Sequence, residues 1–399
     1  MNSSAAHWRV TYRRAKTGNV RLAVLLALAA GSTLPGQGIV DPSKLRLVLP
    51  RFEADDTSLH CEVTPLKPVL NYGFRFQSGY MVRVPMHQFF GPNHGWSTLT
   101  RITPLGGDRM PVYLLSSATL PNVPKTKVEL QVGGGYLLGE GAYEVRWMML
   151  DDTGRVCRKN WHVDAHRTHA EQKVKVAMPP ETVWELGLRG SRRLPVSTDD
   201  AAPVRMTILL HTAPLFPRRT RLRPTDMMTL MTTVSSLMER VPARSVRLVL
   251  FNLDQQKELY RKEGFVLRDM SQVWQAMTNI ELGMVDFQVL QNRHGHVDLL
   301  ADLVNREIAA QPASDVVLFL GPMARQFEKM PESSLEKPAG RVPQFYYFQI
   351  APFMRQGPVL GDTIKSTVGR LGGKTILIHT PGEFAKAIER LEKTGKGPA

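Results

Sequence analysis

A chain of 399 residues with 43% hydrophobic and 22% charged side chains has the balance of a folded protein and room for two domains with separate cores. Its 51 basic residues against 36 acidic ones give a formal net charge of +15, which favours anionic surfaces or partners. No zinc-finger spacing, RNP-type motif or basic helix accompanies that charge, so no nucleic-acid partner is expected, and no apolar run is long enough to span a bilayer.

Residues 1–37 read as a signal peptide and leader. Arg9, Arg13, Arg14, Lys16 and Arg21 precede the short apolar stretch LAVLLALAA at 22–30 with no acid among them, and Ala27-Leu28-Ala29 offers a small-x-small cleavage site, Gly36-Gln37 another. No cysteine follows to carry a lipid anchor, and the residues around Arg13-Arg14 match a twin-arginine signal poorly, so the general secretory route is expected. Without those five charges the chain keeps about +10. The mature protein is expected to be exported, periplasmic or secreted, and not transmembrane.

Residues 38–176 read as an all-β sandwich. The segments 58–63, 71–77, 80–85, 98–103, 110–115 and 127–132 are short, rich in Val, Tyr, Phe and Leu, and separated by Pro or Gly. A hairpin joins 142–150 to 155–163 through Asp151-Asp152-Thr153-Gly154, and Tyr143, Val145, Trp147 and Met149 share one face of it. Gly133-Gly134-Gly135 reads as a turn between strands. The two cysteines, Cys61 and Cys157, both fall in this region and in an exported protein suggest a disulfide, two buried free thiols being the alternative. The segment 80–96 (YMVRVPMHQFFGPNHGW) offers aromatic and Met side chains beside Gly and Pro, suited to a recognition loop or equally to core packing. His87 and His94 flank part of it, and His162, His166 and His169 crowd the end of the domain; clustering in exposed segments explains them without a metal.

The turn at Gly139-Glu140-Gly141-Ala142-Tyr143 resembles the one that leads into the sixth strand of immunoglobulin-like and fibronectin-type domains, where a Tyr ties the corner. The chain departs from the antibody pattern: Val145 stands where the second cysteine would lie, and Cys157 falls on the following strand.

Residues 177–203 contain Pro179, Pro180, Pro195, Asp199, Asp200 and Pro203 with little periodicity and read as a linker. A short ordered stretch is expected around Val183-Trp184-Glu185-Leu186, packed on one domain.

Residues 204–393 alternate strand-like and helix-like segments. RMTILLH at 205–211 has the length of a strand buried on both faces. Thr225 is placed to cap a helix over 226–240, with Met227, Leu230, Met231, Val234, Leu237 and Met238 at three- and four-residue spacings. SVRLVLFN at 245–252 is a second strand with 257–265 as its hairpin partner. A helix follows over 297–309, a strand over 314–320 ended by Gly321-Pro322, and a strand over 344–350. A helix over 362–371 closes at Gly372-Gly373, then come a strand over 375–379 and a last helix over 381–392, leaving a disordered tail at 394–399. Strands linked by crossover helices imply a doubly wound, mostly parallel sheet.

That order, and most clearly DTIKSTVGRLGGKTILIHTPGEFAKAIERL at 362–391, resembles the von Willebrand factor A domain. The resemblance covers about the last half of the chain and rests on pattern more than on a sharp motif. It implies a metal held by an Asp-x-Ser-x-Ser loop after the first strand, a Thr, and an Asp after the fourth strand. Here the first loop reads His211-Thr212-Ala213-Pro214-Leu215 and the fourth strand ends in Leu320-Gly321-Pro322, so a hard cation meets almost no anionic oxygen ligands. The metal site is degenerate, and no cofactor or bound metal is expected.

His294-Gly295-His296-Val297-Asp298 supplies three positions of a His-x-His-x-Asp zinc motif, but Leu299 stands where the next His would be, and a polar loop entering a helix is the plainer reading. No Gly-x-Ser-x-Gly elbow, phosphate-cradling loop or Ser-x-x-Lys occurs, so no catalytic residue is expected. The favoured function is therefore a non-enzymatic interaction or adhesion-type scaffold for another protein or envelope component, with an anionic surface as another class of target. The loops at the C-terminal edge of the parallel sheet would carry it, rimmed by His211, Thr212, Phe216, Arg293, His294, Arg325 and Phe353. An exported zinc-dependent hydrolase using His294 and His296 and a structural envelope protein are the alternatives.

Overall fold

Two kinds of hydrophobic pattern give two kinds of sheet, and the chain divides accordingly into two units, Met1–Gly187 and Leu188–Ala399. The computed structural model describes residues 37–46, 48–54, 57–107, 110–186, 204–216, 219, 221–280, 289, 291–325, 327–336, 342–352 and 361–395. Residues 1–36, which hold nearly all of the expected signal peptide and leader, the 187–203 stretch, the end of the tail and Phe353 lie outside them.

The first unit begins with β1 (Gly38–Val40) and a short helix α1 (Leu49–Glu53), followed by β2 (Glu62–Leu70), β3 (Phe76–Pro85), β4 (Gly95–Pro104), β5 (Val112–Thr119), β6 (Glu129–Leu138), β7 (Gly141–Asp151), β8 (Val156–Ala165) and β9 (Val183–Glu185). They form two antiparallel sheets, β1-β5-β4-β7-β8 and β2-β3-β6-β9. The period of two in β7 buries Tyr143, Val145, Trp147 and Met149 on one face. Tyr80 of β3 meets Trp147 with ring centroids 5.3 Å apart and Trp161 at 6.3 Å, which closes the sandwich core between the sheets. The opposite face of β4 and β7 carries Leu99 and Met148, packed with Leu45, Phe52, Tyr113 and Val156. Phe52 lies under the guanidinium groups of Arg101 and Arg146, 5.7 Å from each, while Glu53 pairs with both at 2.6 and 2.9 Å.

Two expectations need correction here, and one choice left open, between recognition loop and core in segment 80–96, falls mostly to the core. Gly133-Gly134-Gly135 is not a turn: it lies inside β6, opposite Met81, Tyr80 and Gly79. A Cβ on Gly134 would stand 2.3 Å from the Tyr80 ring, so the glycines let that ring lie across the neighbouring strand and reach the core. The expected strand at 71–77 begins only at Phe76, because the Asn71 side chain accepts from the N–H groups of Gly73 (2.8 Å) and Arg75 (3.2 Å) and bends the chain into a turn. In the 80–96 segment the strand β3 and its sequel bury Tyr80, Val82, Val84, Met86, Phe89 and Trp96, leaving Phe90 as the exposed aromatic.

The ordered part of the expected linker is β9, paired with β6 through Tyr136, Leu137 and Leu138. The Tyr143 hydroxyl lies 2.9 Å from the Gly139 carbonyl and 3.2 Å from that of Thr182, tying the corner as a buried phenol requires. Cys61 and Cys157 are joined in a disulfide with Cα atoms 6.2 Å apart, linking the approach to β2 with β8.

The second unit contains β10 (Val204–His211), α2 (Pro224–Arg240), β11 (Ala243–Asn252), β12 (Lys257–Lys262), α3 (Met270–Thr278), α4 (Gly295–Ala309), β13 (Val316–Gly321), β14 (Gln344–Ile350), α5 (Thr363–Arg370), β15 (Lys374–Ile378) and α6 (Pro381–Gly395). Its sheet runs β12-β11-β10-β13-β14-β15, with every pair parallel except β11 with β12. Leu209, Val249, Phe251, Val317, Phe319, Phe345 and Tyr347 pack with Leu300, Leu303 and Val304 of α4 and Ile364 and Val368 of α5. Helix α2 starts at Pro224, with the Arg223 N–H donating to the Asp226 carboxylate at 3.0 Å, so Arg223 and not Thr225 is the capping position.

One buried charge crosses this unit. Glu307 of α4 is wholly buried and accepts from the Thr207 hydroxyl of β10 at 2.8 Å and from Arg261 of β12 at 2.9 Å, and pairs with Arg247 of β11. Removing one side of such a network leaves the other uncompensated. Glu307→Ala is therefore expected to cost about 3–5 kcal/mol in denaturant unfolding of the full chain, and an unchanged midpoint would contradict this assignment. Replacing Cys61 and Cys157 with Ser, which frees the 96-residue separation the bridge closes, is expected to cost about 4 kcal/mol, read from the fluorescence of Trp147 and Trp161.

Candidate functional site

In the parallel sheet, β11 lies on one side of β10 and β13 on the other, so the connections leave β10 and β13 in opposite directions and open a crevice at their C-terminal ends. His211 ends β10 and Gly321 ends β13. Gly321 has φ +135°, and a Cβ there would stand 2.5 Å from the His211 carbonyl oxygen, so only glycine lets the two chain ends approach this closely.

His211 is 1% exposed and stacks on Phe251 with ring centroids 5.2 Å apart. Its Nδ1 is 3.0 Å from the Pro322 carbonyl oxygen, which can only accept, so Nδ1 carries the proton. Nε2 is left as a bare acceptor, with no hydrogen-bond partner among the described residues. Burial holds the His211 pKa below its ordinary value, against the pull of Asp254 and Asp362 and in concert with Arg325.

Around it lies a polar cluster. The Tyr347 hydroxyl is 3.0 Å from the Pro322 oxygen and 3.1 Å from Asp362 Oδ2. Asp362 caps α5, accepting from Ile364 N at 2.9 Å, and burial raises its pKa despite those hydrogen bonds. Arg325 Nε is 3.4 Å from Asp254 Oδ2. The loop after β10 is fixed from below: the Thr212 hydroxyl donates to the Phe251 carbonyl at 3.0 Å, Asn252 Nδ2 donates to the Thr212 carbonyl at 2.6 Å, and Ala213 and Leu215 are buried. This arrangement presents one neutral acceptor, one guanidinium and two carboxylates, one of them pushed toward its neutral form.

Of the residues expected at the rim, His211 and Thr212 form the floor rather than the edge. Phe216 is half-buried, with the Arg219 guanidinium 3.9 Å from its ring centroid. Arg293 and His294 are exposed at the start of α4, tied to the β11–β12 turn by Gln256 Nε2 donating to Asn292 O at 2.8 Å, and Arg325 is partly buried. Asp254, Phe327, Tyr347, Asp362 and Glu328 also belong to this edge, and sequence reasoning missed them. The one available signal was Tyr347, a phenol inside an apolar strand that must find a partner for its hydroxyl.

The His-x-His-x-Asp motif is met by a residue from elsewhere. His294 Nδ1 lies 2.5 Å from Glu328 Oε1 and His296 Nε2 3.6 Å from Glu328 Oε2, while Asp298 Oδ2 lies 3.5 Å from Asn292 Nδ2. His296 is 3% exposed and burial lowers its pKa. Among the described residues no group of three or more His, Cys, Asp or Glu is arranged to hold a metal ion.

No family model matches the chain, and no curated protein is significantly similar to it. Some solved structures share small parts of it. A Bordetella pertussis protein described as ApaA is 16% identical with a TM-score of 0.18, over 29% of this chain and 99% of that one. A DUF4466 family protein from Parabacteroides merdae is 10% identical with a TM-score of 0.16, over 27% and 44% of the two chains. A lipoprotein from Bacteroides thetaiotaomicron is 8% identical with a TM-score of 0.15, over 30% and 92%. Similarities this slight assign neither fold nor function to this chain.

A histidine whose folded pKa lies below its unfolded value contributes stability that is complete above the unfolded value, 6.5, and is lost as pH falls below it. Asp362, raised above 3.8, acts in the opposite sense: it costs stability while ionised and returns it as acid protonates it. The second unit is therefore expected to melt at lower temperature on going from about pH 7.5 to about pH 5.5. His211→Asn is expected to flatten that decline, leaving the part due to His296; equal slopes for wild type and variant would refute the role of His211.

Proposed function

We propose that this chain is an exported, non-enzymatic interaction protein whose second unit is a von Willebrand A-like domain that binds without a metal ion. The disulfide fits an oxidising compartment, and no helix among the described residues is long and apolar enough to cross a membrane. The observation that carries the reading is the strand order with its crevice between β10 and β13, where His211, Ala213, Leu215 and Gly321 occupy the positions that would supply oxygen ligands. The first unit is read as an immunoglobulin-like sandwich, a reading supported by the Tyr143 corner. The binding surface is the C-terminal edge of the parallel sheet, with Arg293, Arg325 and the exposed Phe327 in contact with a protein or envelope partner.

Capture of the partner from the envelope fraction, repeated with EDTA, tests this. The partner is expected to be retained with chelator and weakened about tenfold or more by Arg325→Ala, a loss typical of a contact residue; release by chelator alone would overturn metal-free binding. A zinc-dependent hydrolase is the second reading, favoured by the approach of His294 and His296 to Glu328. Stoichiometric zinc in the purified protein, lost on changing both histidines to Ala, would install it in place of the first.

A further inference from the structure

Unpaired sheet edges invite association, and proteins blunt them with short strands, prolines or charges. Among the described residues, five of the six edges here carry such a device. Strands β1 and β9 are each three residues long. Strand β2 contains Pro65 and Pro68, β8 carries Arg158, Lys159, His162 and Asp164, and β12 carries Lys257, Glu258, Arg261 and Lys262. Strand β15 reads Lys-Thr-Ile-Leu-Ile, has its single charge at its first residue, and leaves Leu377 46% exposed.

We propose that β15 is a homodimer interface, pairing antiparallel with β15 of a second copy across a two-fold axis at Ile376. The backbone carries the argument. The Ile378 carbonyl accepts from Ala351 N at 2.8 Å, just past the end of β14, so it points toward that strand. Alternation along the strand then turns the N–H and C=O groups of Thr375 and Leu377 outward.

An axis at Ile376 sets Thr375 of each copy opposite Leu377 of the other, and these are the residues whose groups face out. Each such pair exchanges both backbone hydrogen bonds. Lys374 meets Ile378, so no like charges face one another, and the exposed Leu377 packs beside Thr375. The same operation on β12 with its axis at Leu259 would set Lys257 against Arg261. The self-complementarity of β15 selects a second copy as its occupant, and the two parallel sheets become one continuous sheet.

Sedimentation velocity of the full mature chain at rising concentration tests this. The wild type is expected to form dimers. Thr375→Pro removes an outward N–H that β14 does not use, and is expected to give monomers that melt like the wild type at dilutions where it too is monomeric. Leu377→Lys, which leaves the backbone intact, is expected to do the same and decides the matter if the proline variant fails to fold. Ile376→Cys adds a thiol to a chain with no free cysteine among the described residues. It is expected to yield a disulfide-linked dimer on mild oxidation, because a non-hydrogen-bonded pair brings the two Cα atoms to about 4.5 Å. A wild type monomeric at every concentration, or a dimer that survives Leu377→Lys, overturns the proposal.

Discussion

A carboxylate with no access to water sets the frame of the second unit. Burying Glu307 is tolerable only because Arg247, Arg261 and Thr207 converge on it, and these residues come from three adjacent strands. Each of them can reach Glu307 in one register only, since a slip of a single residue would turn its side chain to the other face. Ser314, whose hydroxyl is 2.8 Å from that of Thr207, extends the constraint to the approach of β13. The relative heights of β10, β11, β12 and β13 are thus fixed from within the sheet, and with them the place where His211 and Gly321 meet at its far edge.

That edge shows how a polar site can be closed by geometry instead of by ligands. The Pro322 carbonyl accepts a hydrogen bond from His211 Nδ1–H and lies within reach of the Tyr347 hydroxyl, and the same hydroxyl lies within reach of Asp362. The result is an imidazole whose charged form is disfavoured beside a carboxyl group whose pKa burial raises. Opposing pKa displacements in neighbouring groups follow from one cause, the cost of charge in a poorly solvated place.

The alternation of strands and helices after residue 204 was legible because the central strands β10, β13 and β14 are largely apolar, as burial on both faces requires. The β7–β8 hairpin was legible through its period of two. Helix α3 was not foreseen, and the triple glycine misled because glycine marks both turns and close backbone approach; only the Tyr80 ring beside it decides between them. The polar cluster was the least legible part. Its members come from the ends of β10, β11 and β13, from inside β14 and from the cap of α5, separated in sequence by up to the 151 positions between His211 and Asp362. No local spacing records which of them meet.

The chemistry of the assembled edge also bears on what it binds. A divalent ion set in the crevice would meet a bare imidazole nitrogen and the carboxylate of Asp254, but Asp254 already faces Arg325, and Asp362 is biased toward its neutral form. Charges a few ångströms apart in a partly buried setting interact by several kcal/mol, so the fixed guanidinium would oppose a second cation there. For the proposed interaction surface, the same guanidinium, with Arg293 and Phe327 exposed, would suit a ligand with acceptor oxygens and some hydrophobic area. In the proposed reading, Arg325 lets this edge attract an acceptor with its own positive charge, without a metal ion.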